Sequence, residues 1–160
     1  MPVLTERIET RLPIDEAFAY VADFANASTW DPGVASSERD GRGPLQVGAR
    51  YRLGVRVGGR VAPMAYTVTL LDPPRRVVLE GRGSGVAAVD DIRFDSAAGD
   101  AGTVITYVAD IRLVGMRRLL APFAGAAFRR VAANARAGME RALERRASEQ
   151  RAATPTGLVP

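Results

Sequence analysis

The sequence predicts an α+β domain: a strongly curved antiparallel sheet of six to seven strands wrapped around one long C-terminal helix, with two short helices after the first strand. Three observations carry this. Apolar residues alternate at a period of two through most of residues 34–113, and from Met116 onward the spacing becomes helical. The connections between the alternating runs are short and rich in Gly, Pro and Asp. A sheet with one apolar face and a helix with one apolar stripe bury both surfaces when the sheet curves around the helix. At 160 residues the chain is the size of one domain with one core.

The first strand runs from Val3 to Leu12, with β-branched residues at Val3, Thr5, Ile8 and Thr10, and Pro13 ends it. Pro13-Ile14-Asp15-Glu16 opens a helix with proline and acids in the first turn; Ile14, Phe18 and Val21 form its apolar face to about Phe24. A second short helix or turn follows from Asn26 to Trp30 and closes at Asp31-Pro32-Gly33. Strands are then expected at Val34 to Arg39, Arg50 to Val57, Val61 to Leu71, Arg76 to Gly81, Val86 to Asp95 and Thr103 to Leu113. In Arg50 to Val57 the odd positions are apolar and most even ones are Arg, so one face is buried and the other wet. Gly58-Gly59 reads as a hairpin turn. Gly81-Arg82-Gly83-Ser84-Gly85 is glycine-rich, but no helix follows it, so it reads as a mobile strand connection and not a phosphate cradle.

Met116 to about Arg146 reads as the long helix. At 100° per residue, Leu120, Ala124, Ala127, Val131, Ala135, Gly138 and Ala142 fall on one stripe, with Arg118, Arg129, Arg136 and Glu140 opposite. Pro122 and Gly125 predict a kink, or a short helix before a main helix starting near Pro122. The small residues of the stripe fit either close helix–sheet packing or a ligand cavity of ~300–1,000 Å³. Glycines at 41, 43, 54, 58, 59, 81, 83 and 85 suit a bent sheet and tilt the reading towards the cavity. From about Ser148 the chain turns polar and proline-punctuated. The domain is therefore expected over residues 1–147, with a disordered tail over residues 148–160.

Composition removes much chemistry. The chain has no Cys and no His, and all 22 of its basic residues are Arg. Zinc sites of the usual kind, disulfides, thiol nucleophiles, imidazole bases, Lys Schiff bases and P-loops are excluded. Neither a metal nor a cofactor is expected. Charge is uneven: residues 1–115 carry 13 Arg and 15 acids, whereas residues 116–160 carry 9 Arg and 3 acids. The basic segment reads as the solvated face of a helix, or as a weak peripheral contact with an anionic membrane through Arg117, Arg118, Arg129, Arg130 and Arg136. Without an aromatic platform for bases, no nucleic-acid partner is expected. No apolar run approaches the ~20 residues of a transmembrane helix, and the N-terminus lacks a signal-peptide pattern, so a soluble cytoplasmic protein is expected.

Particular residues then narrow the fold. Pro13-Ile14-Asp15-Glu16-Ala17-Phe18, Val21-Ala22-Asp23-Phe24, Trp30-Asp31-Pro32, Leu71-Asp72-Pro73-Pro74-Arg75-Arg76, Gly102-Thr103-Val104-Ile105-Thr106-Tyr107 and the closing Met139-Glu140-Arg141-Ala142-Leu143-Glu144 stand in this order. Over roughly residues 3–147 the chain resembles the START-related (SRPBCC) superfamily, and within it bacterial polyketide cyclase/dehydrase-like proteins. The resemblance implies the helix-grip fold, with a hydrophobic cavity between sheet and C-terminal helix. Members bind lipids, sterols, polyketides and other apolar molecules, and some catalyse cyclisation or dehydration.

Strand alternation places Tyr51, Leu53, Val55, Tyr66, Val68, Ile92, Phe94, Ile105 and Tyr107 toward the helix, either as core or as cavity wall. A buried phenol needs a hydrogen-bond partner, which a ligand oxygen or water would supply. Asp90 shares its face with Ile92 and Phe94; it is expected in the cavity or at its rim with a raised pKa, or else paired with Arg82 or Arg93. Asn134, on the edge of the helix stripe near Val131, would bond a ligand carbonyl or a neighbouring strand. Trp30 packs over one end of the core or forms part of a lid. The expected function is binding of a small hydrophobic molecule, lipid-like or polyketide-like. The alternative is a cyclase/dehydratase-type enzyme in the same cavity, with Asp90 and Tyr107 as its catalytic candidates. Monomer and homodimer both remain open.

Overall fold

The computed structural model describes residues 3–154. Seven strands form one antiparallel sheet: β1 (Val3–Thr10), β2 (Val34–Arg39), β3 (Arg50–Val57), β4 (Arg60–Asp72), β5 (Arg76–Gly83), β6 (Val86–Ser96) and β7 (Thr103–Leu113). The spatial order is β1-β7-β6-β5-β4-β3-β2. From β2 to β7 each strand pairs with its chain neighbour, and β7 closes the meander on β1, bringing Ile8 opposite Ile105. Register shifts at Val68/Leu70 in β4 and at Val34/Ser36 in β2 add bend to the sheet. Two short helices, α1 (Ile14–Val21) and α2 (Ala27–Trp30), with a 3₁₀ turn at Phe24–Asn26 between them, connect β1 to β2. A 3₁₀ segment, Gly115–Leu120, leads into α3 (Ala121–Ala153). This is an α+β helix-grip fold.

One face of each strand supplies the core. Tyr51 and Leu53 of β3, Val68 of β4, Val77 and Leu79 of β5, Ile92 and Phe94 of β6, and Ile105 of β7 are all buried. Each large apolar side chain removed from water contributes about 1.5–3 kcal/mol. The connecting helices fill the concavity from the other side. Phe18 meets Phe94 edge-on at 5.1 Å between centroids, and Phe24 and Trp30 lie against the tyrosines of the sheet.

Helix α3 starts as the sequence predicts: a short helical segment precedes a main helix with Pro122 in its first turn, where the missing N–H is harmless. Gly138 and Ala142 of the expected stripe are buried, while the rest of its face and its end are corrected. The buried stripe is Gly138, Met139, Ala142, Leu143 and Ala147, packed on β1 and α2, whereas Leu120, Ala127, Val131 and Asn134 are exposed. A run of alternating Ala and Arg has little apolar contrast around the helix, so two large side chains, Met139 and Leu143, decide the roll. Arg136, expected on the solvent side, reaches Glu6 of β1 at 3.7 Å and Glu140 at 3.1 Å. The helix runs on to Ala153, beyond both Arg146 and the Ser148 expected to begin the tail; residues 155–160 of that tail lie outside the described residues.

Gly138 fixes the crossing. A Cβ there would stand 2.2 Å from the Trp30 carbonyl oxygen and 2.7 Å from Pro32 Cδ, so the helix approaches the end of α2 to backbone contact. Gly138→Ala is expected to cost ~1–3 kcal/mol in urea unfolding, since backbone stands in the way of the methyl group. Gly125→Ala, whose Cβ would meet only Arg129 Nη1 at 3.6 Å, is expected to be neutral or to stabilise by up to ~1 kcal/mol. Equal effects of the two substitutions would contradict this packing.

Candidate functional site

The register of the sheet gathers polar groups at the centre of an apolar face. Asp90 of β6 lies opposite Leu79 on one side and Ala109 on the other. Two residues along, Ile92 is opposite Tyr107. Tyr66 of β4 pairs with both Tyr51 and Gly81. Gly81 is required there: a Cβ would be 2.4 Å from the Tyr66 ring, so the phenol lies flat over the neighbouring strand and reaches toward Asp90. The end of α2 brings Trp30 and Asp31 over this face. Trp30 is edge-on to Tyr107 at 6.2 Å and to Phe24 at 6.0 Å, and Phe24 also meets Tyr66 at 5.4 Å and Tyr51 at 6.2 Å.

Electrostatics single out Asp90. It is 5% exposed and makes no ion pair with a described residue; Arg93, one of its two expected partners, binds Asp91 instead. Burial pushes its carboxyl up to about 7, opposed by the neighbouring Tyr107 hydroxyl and assisted by the charge of Asp31. Asp31 is raised in the same direction by burial, held back by the Gly33 N–H, which donates to its Oδ1 at 2.7 Å, and by the charge of Arg56. Tyr66 and Tyr107 are both raised by burial and by the nearby carboxylates, so they stay neutral donors. Two buried donors have no acceptor among the described residues, the Trp30 indole Nε1–H and the Tyr51 hydroxyl. The Tyr51 hydroxyl feels Asp23 and Arg39, with burial as the main cause of its raised pKa.

Of the residues expected to line a pocket, Tyr51, Leu53, Tyr66, Val68, Asp90, Ile92 and Phe94 are buried on the concave face, and Tyr107 is partly buried beside them. Val131 and Asn134 are not brought to the site, because the roll of α3 turns that part of the helix to solvent. Asp31 is a member of the cluster that sequence reasoning missed. In Asp31-Pro32-Gly33 it reads as a turn residue; the available signal is its position next to the sole tryptophan. The concavity above Asp90 holds the side chains of Phe24 and Trp30. Two clefts on the surface, of 380 Å³ beside Arg11, Leu12 and Arg151 and of 200 Å³ beside Arg39 and Arg50, lie outside the grip.

A curved antiparallel sheet gripping a long C-terminal helix defines a helix-grip protein. The family of polyketide cyclase / dehydrase and lipid transport proteins matches over residues 1–148, and the chain belongs to it. Solved structures agree on the fold. A START superfamily protein from Mycobacterium smegmatis superposes with a TM-score of 0.70 at 15% identity, covering 92% of this chain and 98% of that one. A protein from Thermus thermophilus gives 0.72 at 15% identity, with 89% and 97% covered. The Zhui aromatase/cyclase from a Streptomyces species gives 0.68 at 19% identity, with 99% of each chain covered. Comparison with curated proteins found no match.

The raised pKa has a sign that can be checked. Folded Asp90 holds its proton to about pH 7 while the unfolded residue loses it near 3.8. Between those values the native state binds more protons, so stability falls as pH rises from about 4 to 7 and then levels off. At ~1.4 kcal/mol per pKa unit the loss from this group is on the order of 4 kcal/mol. Asp90→Asn, which keeps an acceptor for Tyr107, is expected to remove that slope and to be the more stable protein at pH 8. Denaturant titrations across this range check it; an unchanged slope in the variant would contradict the assignment.

Proposed function

We propose that the chain binds a small hydrophobic molecule, lipid-like or polyketide-like, against the concave face of the sheet, and that Asp90, Tyr107 and Tyr66 receive its hydroxyl or carbonyl oxygen. The observation carrying this reading is a carboxyl held neutral to about pH 7 inside an aromatic and aliphatic interior. A neutral acid and two phenols offer donors and acceptors without burying an ion. A core that served stability alone would be better filled by an apolar side chain at position 90. The orphan Trp30 indole N–H and Tyr51 hydroxyl support the same reading, because each gains a partner when a ligand oxygen comes within reach. Phe24 and Trp30 fill the concavity from a 3₁₀ turn and a single-turn helix, so ligand entry would displace a segment with little regular backbone hydrogen bonding.

A second reading has its own observation. A carboxyl titrating near 7 has the pKa of a general acid–base at neutral pH. In a cyclase/dehydratase role Asp90 would take a proton alpha to a carbonyl and return it to the departing hydroxyl, while Tyr107 and Tyr66 polarise the carbonyl. Asp90→Asn and Tyr107→Phe must then each abolish most of the turnover of any substrate found.

The chain has one tryptophan, so Trp30 reports on the site directly. Native mass spectrometry of protein purified from its host, followed by titration of a fluorescent apolar dye and its displacement by fatty acids, sterols and aromatic polyketides, tests binding. The expected result is displacement with a change in Trp30 emission. Asp90→Asn and Tyr66→Phe should each weaken ligands bearing a hydroxyl or carbonyl by roughly 3–10-fold, the worth of one hydrogen bond. Binding that leaves Trp30 emission unchanged and ignores both substitutions would contradict the site.

A further inference from the structure

The end of the sheet where β7 leaves for α3 exposes apolar side chains that the fold does not use. Met116 is 89% exposed, Leu119 78%, Leu120 58% and Phe123 84%. They lie on the 3₁₀ segment and the first turn of α3, and this segment is fixed in place. The Val114 N–H donates to the Gly85 carbonyl at 2.9 Å, and the Arg117 side chain covers Gly85 in the β5–β6 turn. That turn in turn rests on β4, since Ser84 Oγ donates to the Pro63 carbonyl at 3.2 Å. Beyond it the β3–β4 hairpin projects, with Val57 and Val61 49% and 59% exposed and flanked by Arg56 and Arg60. Three elements thus present one apolar and basic end of the molecule.

The chemistry of the segment is selective. From residue 111 to residue 139 there is no Asp or Glu, and Asn134 is the sole polar side chain that is not Arg. Arg117, Arg118, Arg129 and Arg130 are exposed and make no ion pair among the described residues; Arg136, grouped with them on sequence alone, is engaged by Glu6 and Glu140. A protein partner is recognised through roughly one hydrogen bond per 100–200 Å², from mixed donors and acceptors. A surface whose polar side chains are almost all Arg, with only Asn134 and Ser84 beside them, next to unpaired Leu, Met and Phe, is poor in acceptors for such contacts. It matches a bilayer surface, where phosphates accept from Arg and apolar side chains enter the boundary between headgroups and acyl chains. No described helix is long and apolar enough to cross a membrane, so the segment would lie on the bilayer.

We propose that this end of the molecule docks on an anionic phospholipid bilayer, with the apolar side chains of residues 116–123 inserted at the headgroup boundary and the four free arginines on lipid phosphates. The site is separate from the Asp90 cluster and stands whether or not that cluster binds a ligand.

Sedimentation of the full chain with vesicles of phosphatidylcholine, with and without about one-third phosphatidylglycerol, tests it. Binding is expected to the anionic vesicles, to weaken as NaCl is raised, and to fall roughly fivefold for each Arg removed in R117Q and R118Q. L119E/F123E is expected to abolish binding at any salt. All these positions are exposed, so thermal melts of the variants should match the parent and show that loss is not unfolding. Failure of the parent to bind anionic vesicles would overturn the proposal, as would binding unaffected by L119E/F123E. Two other outcomes also overturn it when vesicle binding is absent: a concentration-dependent dimer abolished by F123E, or capture of an acidic protein abolished by R117Q and R118Q.

Discussion

The close crossing of α3 over the end of α2 at Gly138 governs how the rest is arranged. A methyl group at that position would overlap the Trp30 carbonyl, so the absence of a side chain lets the helix press directly on the backbone of the short connecting helix. That pressure sets the height at which Trp30 and Asp31 stand above the sheet. Met139, Ala142, Leu143 and Ala147 then lock the C-terminal half of α3 in place. The N-terminal half has no comparable partner and stays exposed. One helix thereby does two jobs: its second half closes the core, and its first half belongs to the surface.

The inner face of the sheet follows the opposite logic. A carboxyl that must hold its proton until about pH 7 costs stability at and above neutral pH, and Asp31 adds to that cost by its charge. Its place between Leu79 and Ala109, the neighbouring Tyr107 hydroxyl and Trp30 beyond it surround the group. Local rules of packing are broken where Asp90 sits and obeyed around it. That pattern is typical of positions retained for what they bind.

Much of this is legible from residues alone. All seven strands follow from alternation and turn chemistry, with ends within a few residues of those observed, and the inward set from Tyr51 to Tyr107 follows from strand period. Asp90 is legible for the same reason: an even-numbered position between buried even-numbered neighbours. The face of α3 is not, because Ala stripes carry little hydrophobic contrast and Val131 looks as apolar as Leu143 in a periodicity count. Asp31 is hidden by a different effect. A residue after a single-turn helix has no period to place it, and its neighbours Arg56, Tyr66, Asp90 and Tyr107 come from strands far away in sequence. The small-residue stripe, which on sequence suggests room for a ligand, is at Gly138 an instance of close packing. The concavity is filled instead by Phe24, which the sequence places at the end of the first helix, and by Trp30, expected over one end of the core or in a lid.

On the proposed function, a ligand sits against the surface made by Trp30, Tyr66, Asp90 and Tyr107. The sole indole N–H gives one resolved signal in a proton–nitrogen correlation spectrum, so nuclear Overhauser contacts from it report the position of a bound molecule. With a displacing ligand at saturation, contacts between the Trp30 indole proton and ligand protons are predicted, together with a downfield shift as the orphan donor gains an acceptor. An indole signal that neither moves nor contacts a ligand shown to be bound would place the binding site elsewhere and contradict the account.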